Sequence, residues 1–191
     1  MITTERIQYD INLIIEHYKE LNIDCIMLGG SCSWGCINPR DVDYVVYCNN
    51  ITHTEHQHIK SFERPHIHII LVPTHNRFGK NAWQSWQIAE MYLALMQYNP
   101  QLILYGTPPD ANCPIDCLVN AKTFMLKDLQ ECICRQQIAK HCYIYLMWYY
   151  AWHNACITEP QKRKLQEWHD LHFTIDDLTL LYNKIQEITL C

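Results

Sequence analysis

Residues 28–47 read LGGSCSWGCINPRDVDYVVY, and this stretch decides the fold. The apolar run Ile23–Leu28 leads into it and predicts a short buried strand, which a Gly-Gly-Ser turn follows at once. Gly29 and Gly30 allow the backbone to approach a ligand closely. Ser31 and the amides after it are expected at the N-terminus of the next helix, which is a favourable position for an anion such as a triphosphate.

Two carboxylates follow this turn. Asp41 and Asp43 lie ten and twelve residues after Ser31, in the predicted strand Asp41–Tyr47. Side chains at positions i and i+2 of a strand point to the same face. Because two adjacent carboxylates repel each other unless a cation lies between them, the pair predicts a metal site. Mg²⁺ is the expected cation, since it takes oxygen ligands and is usually shared with substrate phosphates.

The hydrophobic pattern divides the chain near residue 110. The first part mixes helix and strand periods, which predicts an α/β (α+β) fold, and the second part is helical. The elements expected in the first part are a helix over Thr4–Leu21, strands over Ile23–Leu28, Asp41–Tyr47, Ile67–Val72 and Leu102–Tyr105, and a helix over Trp83–Tyr98. Those expected in the second part are helices over Ile115–Phe124, Leu126–Ala155, Gln161–Leu171 and Ile175–Ile188.

Composition narrows the class of protein. Of the 191 residues 49% are apolar, and the net charge is −5, so the chain can bury a core but lacks the basic surface of a non-specific nucleic-acid coat. The longest uncharged apolar run, Cys142–Trp152, is shorter than the roughly 20 residues of a membrane span. Residues 1–6 carry no secretory pattern. We therefore expect a cytoplasmic protein with no membrane partner.

The eleven cysteines are scattered and odd in number, so we interpret most of them as small buried hydrophobic residues in a reducing compartment. A Cys/His metal protein without transferase activity stays open as an alternative. The closest cysteine spacings are Cys32-x3-Cys36, Cys113-x3-Cys117 and Cys132-x-Cys134. The histidines His53, His56 and His58 form either a polar helix face or a metal cluster.

Over residues 23–47 the chain resembles the nucleotidyltransferases of the DNA polymerase beta superfamily. Their signature is an apolar strand, Gly-Gly or Gly-Ser, about ten residues, and then Asp-apolar-Asp. Gly30-Ser31 and Asp41-Val42-Asp43 match it at that spacing. The resemblance implies a nucleotidyltransferase-type mixed sheet with flanking helices over residues 1–110, and a C-terminal helical bundle over residues 111–191.

The resemblance also implies a mechanism. Mg²⁺ (or Mn²⁺) would be held by Asp41, Asp43 and a third acidic residue, and a nucleoside triphosphate, expected to be ATP, would lose its monophosphate to an acceptor hydroxyl. The acceptor, which is an RNA end, a protein or a small molecule, stays open. The turn Gly29–Ser31 would hold the β- and γ-phosphates, and Lys140 of the helical part would reach the triphosphate.

The chain departs from the family at the third acidic residue. The strand expected over Ile67–Val72 should carry it, but residues 65–69 read PHIHI. His66 or His68 can replace it as a metal ligand, which favours Mn²⁺ or Zn²⁺ over Mg²⁺ because imidazole is a poor Mg²⁺ ligand. His68 can instead act as a general base. In a third interpretation catalysis is lost, and the chain is a module that binds a nucleotide or a partner protein, as some toxin-neutralising relatives do.

Overall fold

The computed structural model describes residues 3–49, 62, 64–74, 99–109, 115–154 and 156–189. The chain divides into two compact units, Met1–Ala111 and Asn112–Cys191. Helices and a four-stranded mixed sheet make it an α+β protein, as the sequence predicts. The helix expected over residues 83–98 and the histidine group at residues 53–58 lie outside the described residues.

The first unit opens with helix α1 (Thr4–His17). The side chain of Thr3 accepts a hydrogen bond from the backbone N–H of Arg6, which caps the helix start. The predicted end at Leu21 is corrected, since the chain passes from α1 into a 3₁₀ helix at Lys19–Leu21 and leaves it through Asn22 at φ 52°. The apolar face of α1 covers the sheet.

The sheet contains strands β1 (Ile23–Leu28), β2 (Val42–Cys48), β3 (Ile67–Pro73) and β4 (Ile103–Gly106), in the spatial order β3-β2-β1-β4. Strand β1 runs antiparallel to β2 and β4, whereas β2 and β3 are parallel. The core between sheet and helix is formed by alternate residues of β2 together with one side of α1. Its main members are Ile11, Ile14, Tyr18, Ile26, Val42, Tyr44, Val46 and Leu71.

A buried carboxylate ties α1 to the sheet. Asp10 is fully buried and accepts hydrogen bonds from the Tyr44 hydroxyl at 3.0 Å and from Arg6 Nε at 3.0 Å. Burial and the contact with Asp10 raise the pKa of Tyr44, so the phenol stays a donor at neutral pH. The carboxylate is therefore satisfied inside the core rather than offered to a ligand.

We expect Tyr44→Phe to lower the free energy of unfolding by about 1–3 kcal/mol, because the buried Asp10 carboxylate then loses a donor. Urea unfolding followed by circular dichroism measures the change. The matched control is Tyr9→Phe, which removes a hydroxyl from a side chain that is 56% exposed and should leave stability unchanged. Equal stability of the two variants would contradict the structural role assigned to Asp10.

The second unit contains helices α2 (Ile115–Cys134), α3 (Cys142–Asn154), α4 (Glu159–His169) and α5 (Ile175–Gln186). Helix α2 packs against α5, and α3 packs against α4 and α5. Lys122 of α2 donates hydrogen bonds to the carbonyls of Gln186 and Ile188, which satisfies the C-terminal end of α5. Thr174 and Asp177 form a capping box at the start of α5, since they exchange side-chain-to-backbone hydrogen bonds.

The predicted helix break near Met125 is wrong. Helix α2 continues through this residue to Cys134, and the chain leaves the helix over residues 135–141, where Gln136 has φ 52°. Apolar residues continue at helical spacing across Met125, whereas residues 135–137 are the polar sequence RQQ.

No helix in the described part of the chain combines the length and apolar character that a membrane crossing requires.

Candidate functional site

The Gly-Gly-Ser turn lies directly beside the second aspartate. The backbone N–H of Gly29 donates to the carbonyl of Asp43 at 2.7 Å, and Leu28 pairs with Tyr44 in the sheet. These backbone contacts place the end of β1 next to the start of β2. The two motifs that the sequence separates by ten residues therefore meet at one end of the sheet.

Gly30 leaves the space that the Asp43 carboxylate fills. A Cβ atom on Gly30 would lie 1.6 Å from Asp43 Oδ2 and 2.8 Å from Asp43 Cβ, and the residue has φ +55°. Any side chain here would collide with the carboxylate and strain the backbone. The glycine is thus required by close approach of the aspartate.

His68 is the neighbour of Asp43 on the adjacent strand. The parallel pairing of β2 and β3 sets the two residues in register, and His68 Nδ1 lies 2.8 Å from Asp43 Oδ1. The Asp43 side chain is 15% exposed and that of His68 is 63% exposed. This contact brings together two of the residues that the sequence predicts as metal ligands.

The charge of the two aspartates acts on His68. The hydrogen bond to Asp43 raises the pKa of His68, partial burial opposes this, and the charges of Asp43 and Asp41 raise it further. The protonated imidazole is therefore favoured beside the carboxylates. The stabilisation from this ion pair is present at low pH and is lost as pH rises through the raised pKa of His68.

Asp41 and Cys32 lie close to the contact between Asp43 and His68. Asp41 is exposed and precedes β2 by one residue, so the predicted start of that strand is corrected to Val42. The Cys32 thiol donates to the Asp41 carbonyl at 3.7 Å. Burial, followed by the charge of Asp43, raises the pKa of Cys32 to about 12, so it stays a thiol at neutral pH. Cys32 is not among the site residues that the sequence predicts, although its position one residue after Ser31 could have indicated it.

His66 has other contacts. It has φ +65°, its side chain is exposed, and its Nδ1 lies 3.1 Å from the carbonyl oxygen of Arg40. A carbonyl accepts a hydrogen bond from the Nδ1–H tautomer. Of the two histidines that can replace the third acidic residue, His68 is the one held against Asp43.

The helix expected after the turn is corrected to a 3₁₀ helix of five residues, Gly30–Trp34. Gly35 ends it at φ +84°, and the backbone N–H of Cys36 donates to the carbonyl of Ser31. One and a half turns give little of the dipole that a longer helix offers to an anion. Ser31 is 3% exposed and hydrogen-bonds the Cys32 thiol, so its assignment to a phosphate stays a prediction.

Lys140 lies in the second unit, in the connection between α2 and α3, where its side chain is half-buried. Its assignment to the triphosphate stays a prediction.

No protein-family model matches this chain, and no curated protein matches it. The resemblance therefore depends on the residues of the strand–turn–strand segment alone.

An open cavity of about 450 Å³ lies at the opposite end of the sheet. Asp24 lines it, and the Asp24 carboxylate accepts hydrogen bonds from Asn49 and from the Thr74 hydroxyl, the latter at 2.6 Å. These donors hold the ends of β2 and β3 to the start of β1. Because the carboxylate is already satisfied by the chain itself, we assign this cavity a structural role. Its lining residues are Ile23, Asp24, Asn49, Thr74, Tyr105, Gly106, Thr107 and Pro109.

Asp43 and His68 place two potential metal ligands in contact, and the exposed Asp41 is close enough for its charge to act on His68. Asp41 and Asp43 offer carboxylate oxygens, and His68 offers an imidazole nitrogen beside Asp43 Oδ1. Two oxygens and one nitrogen suit Mn²⁺ better than Mg²⁺, which prefers oxygen ligands throughout. The same end of the sheet carries the glycine turn, whose missing side chain keeps the backbone close to the carboxylate.

Proposed function

We propose that the chain is a metal-dependent nucleotidyltransferase, which moves a nucleoside monophosphate from a nucleoside triphosphate to an acceptor hydroxyl and releases pyrophosphate. The supporting observation is the convergence of Gly30, Asp43 and His68 at one end of the mixed sheet. A glycine turn, a carboxylate beside it and a third polar side chain on the adjacent strand are what this reaction requires in one place.

Asp41, Asp43 and His68 would hold the divalent cation. When bound, it supplies positive charge that stabilises the transferring phosphoryl group. The main task of the protein is to position the triphosphate beside the acceptor oxygen, since phosphoryl transfer depends chiefly on positioning and electrostatics. Gly29 and Gly30 suit this task because the backbone of the turn is close to Asp43.

The transfer step forms one bond to phosphorus and breaks another. The acceptor oxygen forms a bond to the α-phosphorus, the bond from that phosphorus to the bridging β-phosphate oxygen breaks, and pyrophosphate leaves with its electrons. The hydroxyl proton passes to a base. In the alternative in which His68 is not a metal ligand, its Nδ1–H donates to Asp43 Oδ1, and the lone pair on Nε2 of the neutral ring can accept this proton.

A transfer assay tests the proposal. We expect label from α-³²P-labelled ATP, CTP, GTP or UTP to move onto a component of cell RNA, protein or small-molecule extract in the presence of Mg²⁺ or Mn²⁺. ATP is the expected donor, and the labelled fraction identifies the acceptor class. In the double variant Asp41→Asn/Asp43→Asn the rate should fall by at least about 10³-fold, because the charge that holds the cation is removed.

The matched control is Glu16→Gln/Glu20→Gln, which removes the same amount of charge from two exposed side chains of the first unit and should keep full activity. Circular dichroism confirms that each variant is folded. If the control loses activity as much as the aspartate variant, the loss reflects overall charge, and the assignment of Asp41 and Asp43 is wrong.

A second function is favoured by one observation. His68 stands where the family resemblance calls for an acidic residue, and it forms an ion pair with Asp43 that neutralises charge at the site. A chain of this kind can bind a nucleotide without transferring it. If the folded wild-type protein transfers no label with any nucleotide or metal but still binds a nucleoside triphosphate in equilibrium dialysis, this binding function replaces the first proposal.

A further inference from the structure

A group of metal-ligating side chains lies in the second unit. Asp128, Cys132, His141 and Cys142 each offer one ligand atom, and these four atoms all lie within 4.8 Å of one another. In the sequence, the nearest cysteine to Cys132 is Cys134, two residues away. The structure gives Cys132 a different partner, Cys142, while Cys134 is exposed.

The helices bring the four residues together. Asp128 and Cys132 are four residues apart on α2, so they lie on the same face of that helix. The chain then turns over residues 135–141, with Gln136 in the left-handed region, and returns to begin α3 at Cys142. His141 and Cys142 therefore stand opposite the last turns of α2, and the group spans the connection between the two helices.

The four side chains already contact one another as donors and acceptors. His141 Nε2 lies 2.6 Å from Asp128 Oδ2, and the Tyr145 hydroxyl donates to the same oxygen at 2.9 Å. The thiols of Cys132 and Cys142 are buried and hydrogen-bonded to each other. Burial raises the pKa of both thiols, so both are protonated in the metal-free protein.

The donor chemistry selects the metal. Mg²⁺ and Ca²⁺ take oxygen ligands, whereas two cysteine sulfurs, one imidazole nitrogen and one carboxylate oxygen are a ligand set that Zn²⁺ takes in tetrahedral geometry. Zinc–ligand bonds of the usual length separate an imidazole nitrogen from a carboxylate oxygen by about 3.3 Å, and two sulfurs by about 3.8 Å. The separations in the structure are within reach of this geometry with small side-chain movements.

We propose that Asp128, Cys132, His141 and Cys142 bind one Zn²⁺ ion, which links the end of α2 to the start of α3. Four protein ligands fill a tetrahedral site, so the zinc has a structural role. Binding replaces the two thiol protons, which leave to solvent, and opens the hydrogen bond between His141 and Asp128. The ring nitrogen of His141 that binds zinc then carries no proton, and the other ring nitrogen carries it. His141 is 44% exposed and Asp128 is 28% exposed, which gives the ion a path from solvent.

Tyr145 acts as a positioning residue. Its hydroxyl holds Asp128 Oδ2, as the hydrogen-bond partners of metal ligands commonly do. We therefore expect Tyr145→Phe to weaken zinc affinity by about 10–100-fold without removing a ligand. A purely structural hydroxyl would change the stability of the metal-free protein but leave the affinity for zinc unchanged.

The test uses the full chain, purified under reducing conditions without chelator. Mass spectrometry should find one zinc per chain, and Co²⁺ added to the metal-free protein should give the visible spectrum of a tetrahedral site together with thiolate-to-cobalt absorption. In Cys132→Ser/Cys142→Ser both signals should be lost. The matched control Cys134→Ser/Cys156→Ser replaces two exposed cysteines and should keep both signals.

Two results would overturn the zinc site. The first is a reduced and folded wild-type protein that contains no zinc and gives no thiolate-to-cobalt absorption. The second is loss of metal in the control double variant. If Cys132→Ser/Cys142→Ser does not fold, the zinc affinity of Tyr145→Phe and the cobalt spectrum of the wild-type protein still test the zinc site. The proposal is independent of nucleotide transfer, because the ligands all belong to the second unit and the transfer assay responds to Asp41 and Asp43 of the first.

Discussion

Gly30→Ala is expected to lower the free energy of unfolding by about 2–5 kcal/mol and to reduce nucleotide transfer to the level of the Asp41→Asn/Asp43→Asn variant. Two costs add together at this position. An alanine at φ +55° costs about 1–2 kcal/mol, because the left-handed region is unfavourable for residues with a Cβ. The new methyl group also overlaps the Asp43 carboxylate, and overpacking of this kind costs about 1–3 kcal/mol more.

The overlap cannot be relieved by rotation of the carboxylate alone. The new Cβ would lie 1.6 Å from Asp43 Oδ2, but also 2.8 Å from Asp43 Cβ, which is fixed by the backbone pairing of β2 with β1 and β3. The turn has to move away from the strand. This movement separates the Gly29 amide from the Asp43 carbonyl and disturbs the position of the carboxylate beside His68.

Gly35→Ala is the matched control for this prediction. Gly35 has φ +84°, but an added Cβ meets no atom within 4 Å. This variant therefore carries the backbone cost of about 1–2 kcal/mol without the collision, and should keep its transfer activity. Urea unfolding and the transfer assay on both variants separate the backbone cost of a positive φ from the effect of the collision with Asp43. Equal loss of activity in the two variants would show that the turn matters only through its backbone conformation, not through Asp43.

The strands of the first unit were predictable because their signals are local. Ile23–Leu28 has the predicted bounds, β2 begins and ends one residue later than predicted, and β3 ends one residue later than predicted. For β1, an apolar run bounded by Asn22 on one side and Gly29 on the other is sufficient to predict both ends of the strand. The proximity of Gly30 to Asp43 also follows from two antiparallel strands joined to the same turn.

Features that depend on how separate elements meet could not be predicted. Nothing in the sequence PHIHI says which histidine contacts Asp43, because this depends on the register between β2 and β3. The grouping of the four proposed zinc ligands could not be predicted from the sequence for a similar reason. Cys132 and Cys142 are separated by a connection whose path is set by the left-handed residue Gln136, and the predicted break near Met125 placed both cysteines on one continuous helix.

His68→Asp is expected to shift the metal preference of nucleotide transfer. The wild-type protein should prefer Mn²⁺, because an imidazole stands where the family resemblance calls for an acidic residue. Aspartate at this position supplies a third carboxylate beside Asp43, in register on β3. The ratio of the Mn²⁺-supported rate to the Mg²⁺-supported rate should therefore fall by at least about tenfold, or about 1.4 kcal/mol in relative transition-state stabilisation.

His68→Gln separates the ligand role from the base role. Glutamine keeps a polar side chain of similar size but cannot take up the hydroxyl proton. If His68 is a ligand, the aspartate variant stays active with a lowered Mn²⁺ to Mg²⁺ ratio. If His68 is the general base, glutamine lowers the rate by about 10²–10⁴-fold with either metal, and the aspartate variant keeps the wild-type ratio. Because Nδ1 of His68 contacts Asp43, whose carboxylate is 15% exposed, we expect the first result: the imidazole stands within reach of any cation that this carboxylate holds.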